Sequence, residues 1–207
     1  MNSKHEHKIF SHFPNVAFNV VAIAASKGGL NAISQILSTL PSDFPAAIAI
    51  VQHLSPNCPS YLAKILKYRT RLRVKNAETG ELLRPGTVYV AVPDKHLVVN
   101  PSGKLSLSDA ARVNFVRPSA NVLFRSVATS YQRRAIAVIL SGKDTDGLLG
   151  VLAIKKHGGI AIAQNEATCE CFEMPKAAIN TGKVDFVLPP NAIASTLYNL
   201  VMSPKAA

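Results

Sequence analysis

Val20-Val21-Ala22-Ile23-Ala24-Ala25-Ser26-Lys27-Gly28-Gly29-Leu30 runs from a continuous apolar stretch through a serine and two glycines into an amphipathic pattern. The apolar run reads as a strand buried on both faces, and the spacing of Leu30, Ile33, Ile36, Leu37 and Leu40 predicts a helix after the glycines. A serine at such a corner lies above the carboxyl end of the strand, and the N–H groups that follow point at whatever its hydroxyl attacks. Ser26 is therefore a candidate nucleophile. The same stretch also suits a plain turn, or a glycine loop that cradles phosphate.

Two further strands end in the same abrupt way. Ala46-Ala47-Ile48-Ala49-Ile50-Val51 stops at Gln52-His53, and Ala135-Ile136-Ala137-Val138-Ile139-Leu140 stops at Ser141-Gly142-Lys143-Asp144-Thr145-Asp146-Gly147. Helical patterns separate these runs, so the strands are predicted parallel and their carboxyl ends share one edge of the sheet. Ser26, His53 and Asp146 are thereby expected together, although a loop histidine and a helix N-cap aspartate, capping the helix that begins at Leu148, are the ordinary readings of the last two.

The middle of the chain changes character. Thr87-Val88-Tyr89-Val90-Ala91 and His96-Leu97-Val98-Val99-Asn100 read as short strands, with Leu105-Ser106-Leu107 after a turn, and predict an antiparallel element beside the main sheet. Asp94 and His96 read as turn formers there. After strand Ile160 to Gln164, a loop is expected through Met174-Pro175, then a short helix to Gly182, a strand from Val184 to Leu188 and a helix after Pro190. The expected fold class is α/β, a doubly wound, mostly parallel sheet with flanking helices. Residues 1–15 are expected to form a polar leader, 16–203 a single domain and 204–207 a tail.

Composition sets the limits. The chain has 207 residues, 48% of them apolar, enough for one sizeable core. No apolar run reaches membrane-spanning length and no signal peptide opens the chain, so a cytoplasmic protein without membrane insertion is expected. Cys58, Cys169 and Cys171 form no CxxC pair, which favours reduced thiols, and His5, His7 and His12 are too irregularly placed for a metal site. The formal charge of +11 calls for an acidic partner. Its densest segment, 67–75, alternates like the solvated face of a strand, and no zinc-finger, basic-zipper or RNA-binding signature accompanies it, so no specific nucleic acid is expected.

Several motifs carry a resemblance. Ala-Ala-Ser-Lys-Gly-Gly, Val51-Gln52-His53, Arg84-Pro85-Gly86-Thr87-Val88-Tyr89-Val90-Ala91, Arg117-Pro118-Ser119, Leu140-Ser141-Gly142 with Asp146-Gly147, Ala163-Gln164 and Met174-Pro175 occur in the order seen in chemotaxis protein-glutamate methylesterases. The chain resembles that family over nearly its whole length after the leader. The resemblance implies a serine hydrolase whose triad falls on Ser26, His53 and Asp146. Lys27 and Lys143 are the implied oxyanion donors, and Gly28 and Met174 complete the oxyanion and substrate-binding set. No cofactor is implied. The implied substrates are methylated cytoplasmic helices of chemoreceptors, with glutamine deamidation at the same sites. The family's usual receiver domain has no counterpart here, so a free-standing catalytic domain, controlled by a separate regulatory protein, is expected. A receptor-binding module of reduced activity and a general carboxylesterase are the alternatives. The chain departs from the family pattern at Lys27, at Asp144, where a second glycine is usual, and at Glu173. The two extra carboxylates are expected to raise the pKa of His53 or to repel an acidic helix.

Overall fold

The computed structural model describes residues 18–53 and 60–202. The expected leader with His5, His7 and His12, the tail, and Cys58 lie outside the described residues. Seven parallel strands form the main sheet: β1 (Asn19–Ala25), β2 (Ala46–Gln52), β3 (Arg73–Asn76), β4 (Thr87–Val90), β7 (Ala135–Ile139), β8 (Ile160–Gln164) and β9 (Phe186–Leu188). Their order across the sheet is β3-β4-β2-β1-β7-β8-β9. The helices are α1 (Gly29–Thr39), α2 (Leu62–Lys67), α3 (Ala120–Tyr131), α4 (Leu148–Lys156), α5 (Glu173–Ile179) and α6 (Pro190–Met202).

Strand β1 lies at the centre, with every residue buried, and its alternate side chains build two cores. Val21, Ile23 and Ala25 pack with Ile33, Ile36 and Leu37 of α1 and with Leu197 of α6. Val20, Ala22 and Ala24 face Leu123, Phe124 and Val127 of α3. Burying an aliphatic side chain contributes about 1.5–3 kcal/mol relative to leaving it exposed, so a frame-shift of β1 by one residue would exchange both layers at once. Register is accordingly fixed: Ala25 pairs with Gln52, and Ala24 with Ile139.

The antiparallel element is the hairpin of β5 (His96–Val99) and β6 (Leu105–Ser108), with Leu97, Val99 and Leu105 in the α3-side core. Thr87–Val90 does not belong to it. This segment joins the main sheet, parallel to both β2 and β3: the crossover through α2 brings in β3, and segment 77–86 then carries the chain back so that β4 enters in the same direction between β3 and β2. Met174 and Pro175 likewise lie in the first turn of α5 and not in a loop; proline is tolerated there because its missing N–H would find no helical acceptor. Within segment 67–75 the alternation holds only from Arg71 onward, with Arg71 and Arg73 exposed and Leu72 and Val74 buried; Lys67 ends α2, and Tyr68 and Arg69 are both exposed. Among the described residues, no helix is long and apolar enough to cross a membrane.

Candidate active site

Sheet order reverses at β1, whose neighbours β2 and β7 continue in opposite directions along the chain, and a crevice opens at the carboxyl ends of such strands. Two backbone hydrogen bonds and one from a side chain knit the three strand ends together. Ser26 N–H donates to the Ser141 carbonyl at 3.0 Å, and His53 N–H donates to the Ala25 carbonyl at 3.0 Å. The Gln52 side-chain amide donates to the Ser26 carbonyl at 2.6 Å. Ser26 and His53 thus leave adjacent strands side by side, with the β7–α4 loop next to them.

The corner after Ser26 depends on two close approaches. Gly28 has φ +79, and a β-carbon there would stand 2.6 Å from Glu170 Cβ and 2.7 Å from Ser141 Oγ. A β-carbon on Gly142 would stand 2.2 Å from Met174 Sδ and 2.9 Å from Ser26 Cβ. Met174 is buried beneath this contact, and its N–H donates to the Gly142 carbonyl at 3.0 Å, so it forms the floor of the site. The backbone N–H groups of Lys27 and Lys143 have no acceptor among the described residues. Both side chains are exposed, and Lys27 Nζ makes only a long, solvated contact to Glu170 at 3.9 Å.

His53 Nε2 lies 3.0 Å from Asp146 Oδ2. Asp146 is fully buried and gathers further donors: Ser119 Oγ at 2.8 Å, Asn121 N at 3.1 Å, and Ala120 N. The expectation that Asp146 caps the helix following it is corrected here. Gly147 stands at the N-terminus of α4, and the Asp146 carboxylate instead caps α3, a helix with no acidic residue in its own first turn. A negative charge at that N-terminus is stabilised by free N–H groups and the helix dipole. Burial alone would raise the Asp146 pKa, but the hydrogen bonds from His53, Ser119, Ala120 and Asn121 outweigh it and hold the carboxyl below its usual range.

Behind this pair lies a residue whose sequence context predicts a turn former. His96 is buried, not a turn former; its Nδ1 accepts the Ser119 N–H at 3.1 Å and its Nε2 lies 3.1 Å from the Ala111 carbonyl. Nδ1 is therefore the unprotonated nitrogen, and His96 fixes the backbone from which Ser119 reaches Asp146. Asp94 does sit in the turn, at φ 56, paired with Arg117 and Arg112. Asn121 Oδ1 accepts the N–H groups of Gly147 and Gly150, tying α4 to α3 on the far side of Asp146. Only the motif Arg117-Pro118-Ser119 signalled this second layer.

The other face of His53 meets a second acid. Asp144 Oδ2 is 3.2 Å from Nδ1, within ion-pair distance but at an angle that does not make a hydrogen bond. Neither ring nitrogen hydrogen-bonds the Ser26 hydroxyl. Burial works to lower the His53 pKa, yet the two carboxylates outweigh it and raise the value to about 9. Cys169 is a free thiol pushed up to about 11 by burial, which disqualifies it as a nucleophile; Cys171 is also free. Among the described residues, no group of three His, Cys, Asp or Glu side chains is placed to hold a metal ion.

Comparison with known proteins agrees with this architecture. A solved structure of the Thermotoga maritima CheB methylesterase catalytic domain superposes with a TM-score of 0.86 at 39% identity, covering 89% of this chain and 99% of that one. A relative from Leptospira interrogans is 39% identical over 88% of this chain and 95% of its own length. A protein-glutamate methylesterase/protein-glutamine glutaminase of Rhizobium meliloti is 44% identical over 86% of this chain, which spans 50% of that longer protein. The family description CheB methylesterase fits residues 21–197. The chain belongs to the CheB methylesterase family.

Proposed function

We propose that this protein is a serine hydrolase that removes methyl esters from glutamate side chains of chemoreceptor helices. Ser26 Oγ attacks the ester carbonyl while His53 Nδ1 takes its proton, the nitrogen left once Nε2 is committed to Asp146. Asp146 orients the ring and stabilises the cation that forms. The N–H groups of Lys27 and Lys143, beside the N-terminus of α1, hold the oxyanion of the tetrahedral intermediate. Collapse of that intermediate breaks the carbonyl–methoxy bond, and His53 returns the proton to the leaving methanol. Water then attacks the acyl-serine with His53 again as base, releasing the glutamate carboxylate and restoring Ser26. A glutamine side chain follows the same path, with ammonia leaving.

The observation that carries this reading is the buried Asp146–His53 pair at a strand end adjacent to Ser26. Supporting it are family membership and the match to the Rhizobium and Thermotoga proteins named for this chemistry. The net charge of +11 supports docking on an acidic helical surface, an attraction that salt weakens. The deciding measurement is methanol release from methylated receptor. Ser26→Ala is expected to abolish it, by at least about a thousandfold. Release that survives this substitution sinks the nucleophile assignment. Hydrolysis of small esters without release from receptor would instead identify a general carboxylesterase, and receptor binding without any release a binding module.

A further inference from the structure

The β7–α4 loop turns two carboxylates towards one imidazole. Asp144 Oδ2 stands 3.2 Å from His53 Nδ1 while Asp146 Oδ2 holds Nε2. That arrangement carries a charge requirement. A neutral ring with its proton on Nε2 presents a lone pair at Nδ1, and a lone pair facing a carboxylate oxygen is repelled. The contact is favourable only when Nδ1 is protonated too, and an imidazolium has no basic nitrogen left for the serine proton.

Asp144 is also held in an unusual backbone state. Its φ is 93, a region that costs a non-glycine residue about 1–2 kcal/mol, and such strain persists only where surrounding contacts impose it. Here the Asp146 N–H donates to Asp144 Oδ1 at 2.6 Å, and the Asp144 N–H donates to Glu173 Oε2 at 3.2 Å. The side chain is 39% exposed, so the carboxylate can turn out into water, which the fully buried Asp146 cannot do.

We propose that Asp144 is a positioning residue that latches His53 as an imidazolium in the free protein, freeing the base for Ser26 only when its carboxylate turns away. The latch rests on the reading of His53 as the base for Ser26. Among the described residues, no other charged group competes for the ring. Within the same loop Lys143 points to solvent; from β1–α1, Lys27 pairs with Glu170; from α5, Glu173 engages the Asp144 backbone; from α3, only uncharged Ser119 and Asn121 approach, and both serve Asp146. With the His53 pKa raised to about 9, only about one ring in a hundred is neutral at pH 7. Substrate docking that displaces the Asp144 carboxylate would therefore couple binding to generation of the base.

Two variants test this without endangering the fold. Asp144→Gly suits the positive φ, and Asp144→Asn keeps the shape without the charge. The His53 ring is titrated by NMR, its signal assigned by loss in His53→Gln, and methanol release is followed against pH. In both variants the midpoint is expected to fall by about one unit or more and the rate at pH 7 to rise about tenfold, with parent and variant rates converging above about pH 9.5. A midpoint that moves in neither variant overturns the latch, and so does a moved midpoint with a falling rate at pH 7. Should no form of the protein release methanol while the midpoint still moves, the esterase reading fails and the hold of Asp144 on the ring stands.

Discussion

Asp144 and Asp146 sit two residues apart on one loop, touch opposite nitrogens of one histidine, and live in opposite environments. Asp146 is sealed from water and accepts hydrogen bonds from Ser119, Ala120 and Asn121 as well as facing His53. Asp144 is partly solvated, strained in its backbone and badly angled towards the ring. A carboxylate's role is thus set by its surroundings more than by its distance from the imidazole: the saturated one is a fixed strut, and the half-solvated one can move.

Removing the strut gives the largest expected effect. Asp146→Asn should lower methanol release by about 10³–10⁴-fold, since the ring loses the anion that fixes its tautomer, and should cost about 1.5–3 kcal/mol in urea unfolding through weakened charge-assisted bonds at α3. A loss of activity no larger than tenfold would erase the distinction between the two acids.

The pH dependence of stability comes next. The folded pKa of His53 lies above its unfolded value of about 6.5, so its contribution is fully present below that value and disappears as pH rises through about 9. Unfolding at pH 6 should therefore require about 3 kcal/mol more than at pH 9.5, a difference that His53→Gln should remove. Asp146 acts in the other direction: its depressed pKa gives stability above the ordinary carboxylate range, lost as acid protonates the folded carboxyl.

The smallest effect should follow from Ser119→Ala, which takes one donor from the strut and leaves the ring contact. A cost of about 1–2 kcal/mol in thermal or urea unfolding, with activity kept within about tenfold, would grade Asp146 as over-determined. Collapse of activity would instead make Ser119 as important as Asp146 itself.

Much of this was legible in the residues. Continuous apolar runs ending at Ser26, His53 and Ser141 dictate buried parallel strands, and parallel strands put their ends on one edge, so the neighbourhood of the site followed from pattern alone. What escaped was long-range. A capping aspartate looks to its own helix, and nothing local says that Asp146 reaches back to the start of α3. His96 resembled a turn histidine because the wall that buries it, α3 and the 109–117 segment, lies later in the chain. The short run Thr87–Val90 could not declare its direction, since parallel or antiparallel entry depends on the crossover before it. The extra carboxylate at Asp144 was visible as a departure, but the nitrogen it would meet was not.

In the proposed mechanism, the reach of Asp146 to the first amides of α3 ties catalysis to local opening. Ala120 and Asn121 cannot exchange their amide hydrogens unless the helix end frays, and fraying releases the carboxylate that orients His53. Exchange rates at those two amides therefore measure the fraction of molecules with a disassembled site, in the absence of any substrate.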